Sequence, residues 1–251
     1  MQADLPNLAG KHAVVTGGAR GIGRAIASLL SKHHARVSIV SRSATEAPAA
    51  EGFFRAAADV TVEEQVIAAL SACRNVYGPI EILVNNAGIA ESAPLTRTTS
   101  SIWERTLATN LTGTFFCTRA VLGDMLAAKW GRIVNVASTA GLEGGAYLAA
   151  YCASKHGVVG FTRAIAAELD GTGITVNALC PGYTETDMLA KAVANVARVT
   201  GGDEAAARSR LARSNPQGRI ATVAEVAAVA LELIAGTRTG EAVVIPGERG
   251  G

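Results

Sequence analysis

Tyr151 and Lys155 stand four positions apart in the run Tyr151-Cys-Ala-Ser-Lys155, at the start of a segment whose pattern predicts helix through Leu169. Residues four apart on a helix lie on one face a turn apart, which sets an ammonium beside a phenol. A free phenol has a pKa of about 10, too high to trade protons readily near neutrality, and a neighbouring ammonium lowers it. A drop of about three units asks for roughly 4 kcal/mol of differential interaction, more than one lysine supplies, so a second positive charge is expected nearby. Ser138 lies thirteen residues before Tyr151, just past the strand-like run 132–137. Its hydroxyl is placed to donate to a carbonyl oxygen as that oxygen gains charge. Tyrosine as acid, lysine as tuner and serine as oxyanion donor together suit the interconversion of a carbonyl and an alcohol. A bare Tyr-x-x-x-Lys is often a coincidence on a helix surface, so that chemistry needs a redox cofactor site elsewhere in the chain.

The elements that must position these groups alternate. Runs 11–16, 36–40, 53–58, 80–84, 132–137, 174–179 and 241–245 are strand-like, and helical patterns fall at 24–32, 61–76, 101–129, 152–169, 203–213 and 223–233. Thr61, with Glu64 three residues on, reads as a helix cap. Such alternation calls for a parallel sheet covered on both faces. The chain has 251 residues, 49% hydrophobic and 18% charged, which fits one α/β domain spanning 1–251. Its formal net charge of +2 gives no footprint for nucleic-acid binding. Cys73, Cys117, Cys152 and Cys180 have neither metal-ligand spacing nor disulfide-scaffold density, so reduced thiols and no metal site are expected, in a cytoplasmic protein. Met1–Gly10 lacks the basic start and apolar core of a signal peptide, and no run of eighteen apolar residues predicts a membrane span.

The cofactor argument sits in the first strand-to-helix turn. Gly17, Gly21 and Gly23, with Arg20 and Ile22 between them, give a Gly-x-x-x-Gly-x-Gly spacing. Glycines there let the chain turn tightly and let backbone N–H groups approach a pyrophosphate at a helix N-terminus. The second strand ends in Ser41 and Arg42, where a dinucleotide site for NAD(H) usually carries an acidic residue. A carboxylate would repel a ribose 2′-phosphate, whereas the guanidiniums of Arg20 and Arg42 can clamp it. NADP(H) is therefore favoured over NAD(H).

Taken together, Thr16-Gly-x-x-x-Gly-x-Gly23, Asp59-Val60, Asn85-Asn-Ala-Gly88, Asn110, Ser138, Tyr151-x-x-x-Lys155 and Pro181-Gly182 resemble the short-chain dehydrogenase/reductase family over essentially the whole chain. The resemblance implies a Rossmann-type, doubly wound parallel sheet of seven strands with helices on both faces, in a single domain. A cofactor half would cover residues 1–130 and a catalytic half 131–251, and the protein would form a homotetramer. It implies that Asn110 joins Ser138, Tyr151 and Lys155 in a catalytic tetrad by holding a water that links the lysine to solvent. Asp59 and Val60 would meet the adenine, and Asn86, Ala87 and Gly88 would line its ribose. Lys155 would also bind the nicotinamide ribose, Thr184 the carboxamide and Thr186 the phosphates. The 4-pro-S hydride would pass to a ketone carbon while Tyr151 protonates the oxygen.

For substrate, Pro181-Gly-Tyr-Thr-Glu-Thr-Asp-Met188 and Asn215-Pro-Gln-Gly-Arg219 resemble 3-oxoacyl-thioester reductases. The stretch 151–188 also resembles ketoreductases of aromatic polyketide pathways, but Ile89-Ala-Glu-Ser-Ala-Pro94 stands where those carry Pro-Gly-Gly. Of two basic residues that dock an acidic carrier protein, Lys129 matches one and Thr172 replaces the other, which turns the expectation toward a coenzyme A thioester. Lys191, Arg198, Arg208, Arg210, Arg213 and Arg219 in the expected lid 187–219 form either a phosphate-binding set or a solvated helical face offset by Asp203 and Glu204. Alternatives are a dehydrogenase of a cyclic ketone, polyketide, steroid or small secondary alcohol, and a catalytically silent scaffold subunit. Further expectations are a truncated helix in the alanine- and proline-rich stretch between Arg42 and Phe53, and an altered tetramer contact at the unusual C-terminus 246–251. Tyr147 is read as packed one turn before Tyr151, His156 as turned away from the active face, and Trp103 and Trp130 as packed on helices.

Overall fold

In the computed structural model, residues 8–42 and 52–246 are described. The expectations for the N-terminal residues 1–7, the stretch 43–51 and the C-terminal residues 247–251 lie outside them. Seven strands form one parallel sheet: β1 (His12–Thr16), β2 (Arg36–Ser41), β3 (Phe54–Ala57), β4 (Ile82–Asn85), β5 (Gly131–Val136), β6 (Ile174–Cys180) and β7 (Ala242–Val244), in the order β3-β2-β1-β4-β5-β6-β7. The order reverses between β1 and β4, the crevice where open α/β sheets bind ligands.

The strands read as near-continuous apolar runs because both faces are buried. Ala13 and Val15 of β1, with Ile82 and Val84 of β4, face α1 (Gly21–Lys32) and α8 (Val223–Ala235). Val14 and Leu83, one residue out of phase, face α2 (Glu63–Tyr77), α4 (Gly113–Ala128) and α5 (Ala149–Glu168). α8 starts on a capping box in which the Thr222 hydroxyl and the Glu225 side chain satisfy each other's backbone N–H groups.

Most boundaries shift by up to three residues from the sequence reading, and two differences bear on the site. Thr61 does not cap α2: its hydroxyl donates to Asp59 Oδ1 at 2.8 Å, and the helix begins two residues later. The helix expected over 101–129 is three pieces, α3 (Ser100–Leu107), a π-turn at Ala108–Thr112 and α4. A methyl on Gly113 would lie 2.8 Å from Val60 Cγ2, so the start of α4 packs directly on the segment that follows β3. The π-turn holds Asn110, consistent with the tendency of π-turns to sit at functional sites. The lid follows β6 as α6 (Asp187–Thr200) and α7 (Glu204–Arg213).

Candidate active site

The ends of β1, β2, β4, β5 and β6 at the carboxyl edge of the sheet build the site, and β1 supplies the glycine turn. Gly17 and Gly21 adopt φ of +63° and +55°, and a methyl on Gly23 would fall 2.3 Å from Asn86 Nδ2 and 2.7 Å from the Gly17 carbonyl oxygen. The Asn86 carboxamide donates to the Thr16 and Gly17 carbonyls at 2.9 and 3.1 Å, while Thr16 Oγ1 accepts the N–H groups of Asn86 and Ala87. Asn86, expected to line a ribose, thus spends its side chain on bracing the turn. Its backbone, with Ala87 and Gly88, follows the brace.

The N-terminus of α1 has no side-chain cap and no acidic residue in its first turn, which leaves its N–H groups and positive dipole end for an anion. Ile22 is half-buried there and packs on the core beneath. At the end of β2 the Ser41 hydroxyl is buried with no hydrogen-bond partner among the described residues. Arg42 is exposed beside it, near enough to Asp59 to favour that carboxylate. Burial opposes the Asp59 charge, but the N–H and hydroxyl of Thr61, with Arg42, hold its carboxyl below the usual range. Both Thr61 bonds fall on Oδ1. Arg20 is also exposed and pairs with Asp187 of α6 at 3.2 Å, so the expected clamp already has one carboxylate neighbour. Glycine cradle, uncapped helix end, orphaned hydroxyl and two arginines fit a dinucleotide carrying a 2′-phosphate.

Ser138 follows β5 and is 9% exposed; its Oγ accepts the Ala140 N–H at 3.1 Å, which turns the hydroxyl proton outward. The turn Thr139–Gly141 sits so tightly on α5 that a methyl on Gly141 would meet the Lys155 carbonyl oxygen at 2.7 Å. That contact fixes Ser138 relative to the helix carrying Tyr151 and Lys155. Lys155 is buried and its Nζ donates to the Val136 carbonyl at 2.7 Å, 5.8 Å from the centroid of the Tyr151 ring.

The tuning expected from the sequence is reversed in this state. Burial pushes the Tyr151 phenol up, and the hydrogen bond from Ser138 only partly offsets it. Burial also pushes Lys155 down to about 8. With its ammonium turned to the Val136 carbonyl, the lysine does not dominate the phenol's field.

Asn110 is 1% exposed and bonds Ile89 in both directions, donating to its carbonyl at 2.9 Å and accepting its N–H at 2.8 Å. It also donates to Ser154 Oγ at 3.0 Å, and Ser154 donates to the Tyr151 carbonyl at 2.8 Å. Ser154, fully buried, was not singled out from the sequence, although it sits inside the Tyr-x-x-x-Lys run. Gly88 lies at this junction, where a methyl would stand 3.2 Å from Asn110 Oδ1 and 3.7 Å from Lys155 Nζ.

The lid leaves β6 at Pro181, whose carbonyl accepts the Thr139 N–H at 3.0 Å. Gly182 is packed on Asn215, with only 2.3 Å between a would-be methyl and Oδ1. Asn215, also missed from the sequence as a brace, accepts the Tyr183 N–H and donates to the Tyr183 and Arg219 carbonyls. Thr184 bridges Ala221 as a single β-pair, and Thr186 caps α6 with its methyl above Gly21. A pocket of about 400 Å³ between the glycine turn and the lid is lined by Arg20, Gly21, Arg24, Glu185, Thr186 and Asp187.

Most of the lid's basic set is engaged within the protein, though by partners other than the Asp203 and Glu204 expected to offset it. Arg208 pairs with Glu185, Arg219 with Glu225, Arg198 bonds Asn195, and Arg213 bonds Ser209. Lys191 and Arg208 line a second groove of about 530 Å³ between α6 and α7. Lys129 caps the end of α4 just before β5, and Thr172 precedes β6. Both lie at the opposite edge of the sheet from Ser138, about 20 Å away along the six residues of β5.

Tyr147 is 66% exposed with φ of +67°, outside α5 rather than packed in a preceding turn. His156 is exposed, as expected, and its Nδ1 lies 2.9 Å from the Cys152 carbonyl oxygen. Trp130 packs against the core cluster that α1 and α8 help to form, with the cations of Lys11 and Arg132 4.2 and 4.5 Å from its ring, while Trp103 is 40% exposed on α3. Among the described residues no His, Cys, Asp and Glu cluster could hold a metal, and no helix is long and apolar enough to cross a membrane.

A family model described as short chain dehydrogenase matches residues 11–197. The chain is 42% identical to 3-oxoacyl-acyl-carrier-protein reductase FabG of Vibrio cholerae over 72% of this chain and 77% of that one. It is 37% identical to D-beta-hydroxybutyrate dehydrogenase of Cupriavidus necator, over 90% of this chain and 91% of that one. Among solved structures, a variant of actinorhodin polyketide ketoreductase with NADPH superposes with a TM-score of 0.89 at 37% identity, covering 94% of this chain and 96% of that one.

Proposed function

The chain belongs to the short-chain dehydrogenase family of oxidoreductases acting on CH–OH groups, and on that premise we propose that it interconverts a 3-oxoacyl thioester and its 3-hydroxyacyl form with NADP(H). The observation that carries the reading is the convergence of Ser138, Tyr151 and Lys155 at the end of β5, one strand pair away from an uncapped helix N-terminus with a glycine cradle. Gly17, Gly21, Ile22 and Gly23 would hold the pyrophosphate, and Arg20, Ser41 and Arg42 the 2′-phosphate. Asp59 and Val60 would take the adenine, the backbone of Asn86, Ala87 and Gly88 its ribose, and Pro181, Gly182, Thr184, Thr186 and Lys155 the nicotinamide end. NADP(H) supplies the hydride that joins or leaves the carbinol carbon.

The chain's own residues do the rest. Ser138, whose oxygen accepts the Ala140 N–H and which hydrogen-bonds the Tyr151 phenol in this structure, would turn its donation to the substrate oxygen. Tyr151 would deliver a proton to that oxygen in the reducing direction, and because burial pushes its phenol up, that role calls for a positive charge beside it when the cofactor is bound. Asn110, held by Ile89 and Ser154, would hold the water that links Lys155 to solvent and lets the lysine and phenol regain protons. A coenzyme A thioester is favoured over a carrier-bound one because Thr172 stands where docking of an acidic carrier would call for a second basic residue beside Lys129. We read the protein as a cytoplasmic homotetramer, for which the exposed Phe115 and Leu126 of α4 offer apolar contact surface.

The test is NADPH and NADH oxidation with acetoacetyl-CoA in parallel, with Tyr151→Phe as control. NADPH turnover in the parent, lowered about 10²–10⁴-fold in Tyr151→Phe, is expected. Tighter binding of NADH than NADPH would remove the 2′-phosphate clamp, and an unchanged Tyr151→Phe would remove the mechanism.

A further inference from the structure

The strand order places β5 between β4 and β6, so the loop after β4 and the lid after β6 leave the sheet on either side of Ser138. They meet beyond it. Asn195 of α6 donates to Ser92 Oγ at 3.0 Å, across 103 positions of sequence. The same loop is held on its other flank, where the Ala93 N–H bonds the Tyr147 carbonyl at 2.9 Å on the segment leading into α5. At its root the loop is fixed by Ile89 on Asn110. The three walls around the reacting edge are thus joined at the rim, and one of the two rim joints consists of side chains alone. That joint is exposed, so water competes for both partners and it opens at little cost.

We propose that the Ser92–Asn195 hydrogen bond is a removable strap over the active site that sets the length of substrate admitted. A compact ketone reaches Ser138 and Tyr151 beneath a closed strap. A substrate whose acyl group ends in a long arm must leave through the gap between loop and lid, and therefore needs the strap open. The proposal rests on the function above for ketone reduction with NADPH at Ser138 and Tyr151, and on its thioester reading only for the use of acetoacetyl-CoA as one probe.

The experiment compares kcat/KM with NADPH for methyl, butyl and octyl acetoacetate and for acetoacetyl-CoA, in the parent chain and in Ser92→Ala, Asn195→Ala and Ser92→Thr. The alanine variants are expected to raise kcat/KM for the octyl ester and the thioester about fivefold relative to the methyl ester, the worth of one exposed hydrogen bond. Ser92→Thr, which keeps the hydroxyl, is expected to follow the parent. Hydrogen exchange in α6 is read alongside and should quicken in the alanine variants, a result that does not depend on which substrate is turned over. The same length preference in all four forms, or unchanged exchange in α6, overturns the strap. If acetoacetyl-CoA is inert with every form while the esters react, the thioester reading falls, and the ester series alone decides the strap.

Discussion

Two glycines on the carboxyl edge of the sheet are pressed against asparagines at the same close distance, yet they serve opposite mechanical ends. Gly23 and Gly182 each leave 2.3 Å between a would-be methyl and a carboxamide atom, of Asn86 and Asn215 respectively. Asn86 stands at the end of β4 and bonds the carbonyls of Thr16 and Gly17, so it ties two central strands together. The Asn215 side chain bonds Tyr183 and Arg219, so it ties the lid to itself. What joins the lid to its surroundings is lighter: the Arg20–Asp187 pair, the Ser92–Asn195 bond, and at its roots Pro181 and the Arg219–Glu225 pair. The glycine turn is part of the core, whereas the lid is an internally stapled body on a hinge. A nucleotide would meet a turn braced into the sheet, and a substrate a lid held to its surroundings by exposed contacts.

The sharpest way to break that contrast is Gly23→Ala. The added methyl meets the Gly17 carbonyl and the buried brace, neither of which has room to yield, so a loss of about 1–3 kcal/mol is expected in urea unfolding. NADPH affinity should fall with it in a fluorescence titration. Unchanged stability and affinity would mean that the turn is as pliant as the lid.

Glu225→Gln probes the lid's C-terminal root. Arg219 first, then the N–H and hydroxyl of Thr222, pull the Glu225 carboxyl down to about 2. Its folded-state pKa lies below the ordinary value, so its contribution is present above about 4.5 and is lost as pH falls toward 2. The variant, which also weakens a capping box, is expected to lose about 1 kcal/mol at neutral pH and to quicken hydrogen exchange across 214–222. The parent should show the same local quickening on acidification before exchange in the glycine turn changes. Glu185→Gln removes an exposed partner of Arg208 and should shift stability by no more than about 0.5 kcal/mol, less at high salt.

The same contrast explains what the sequence made legible. Gly17 and Gly21 announce themselves because positive φ demands glycine, and Tyr151 and Lys155 because helical spacing puts them on one face. The alternating strands and helices foretold the parallel sheet for the plain reason that each strand buries both faces. The inward turn of Asn86, the π-turn at Asn110 and the Thr61–Asp59 bond were not legible, since each depends on which of several partners a short polar side chain finds after folding. Nor was the reversal at Tyr151 and Lys155, because desolvation is a property of the packed site and not of the spacing. The joints of the lid were least visible, as Ser92 and Asn195 carry no pattern that connects them over 103 positions.

The strand order also governs how the chain is born. β1 to β4 are neighbours in the finished sheet and can pair as soon as residue 85 has emerged. β6 ends at Cys180, but its outer neighbour β7 comes only from Ala242–Val244. At about 5–20 residues per second of synthesis, the strand that carries the lid would stand as an open edge for roughly 3–12 s. Cys180, fully buried in the finished protein, is among the residues that wait through that interval, so the catalytic side of the sheet is the part of a nascent chain most in need of a chaperone's cover.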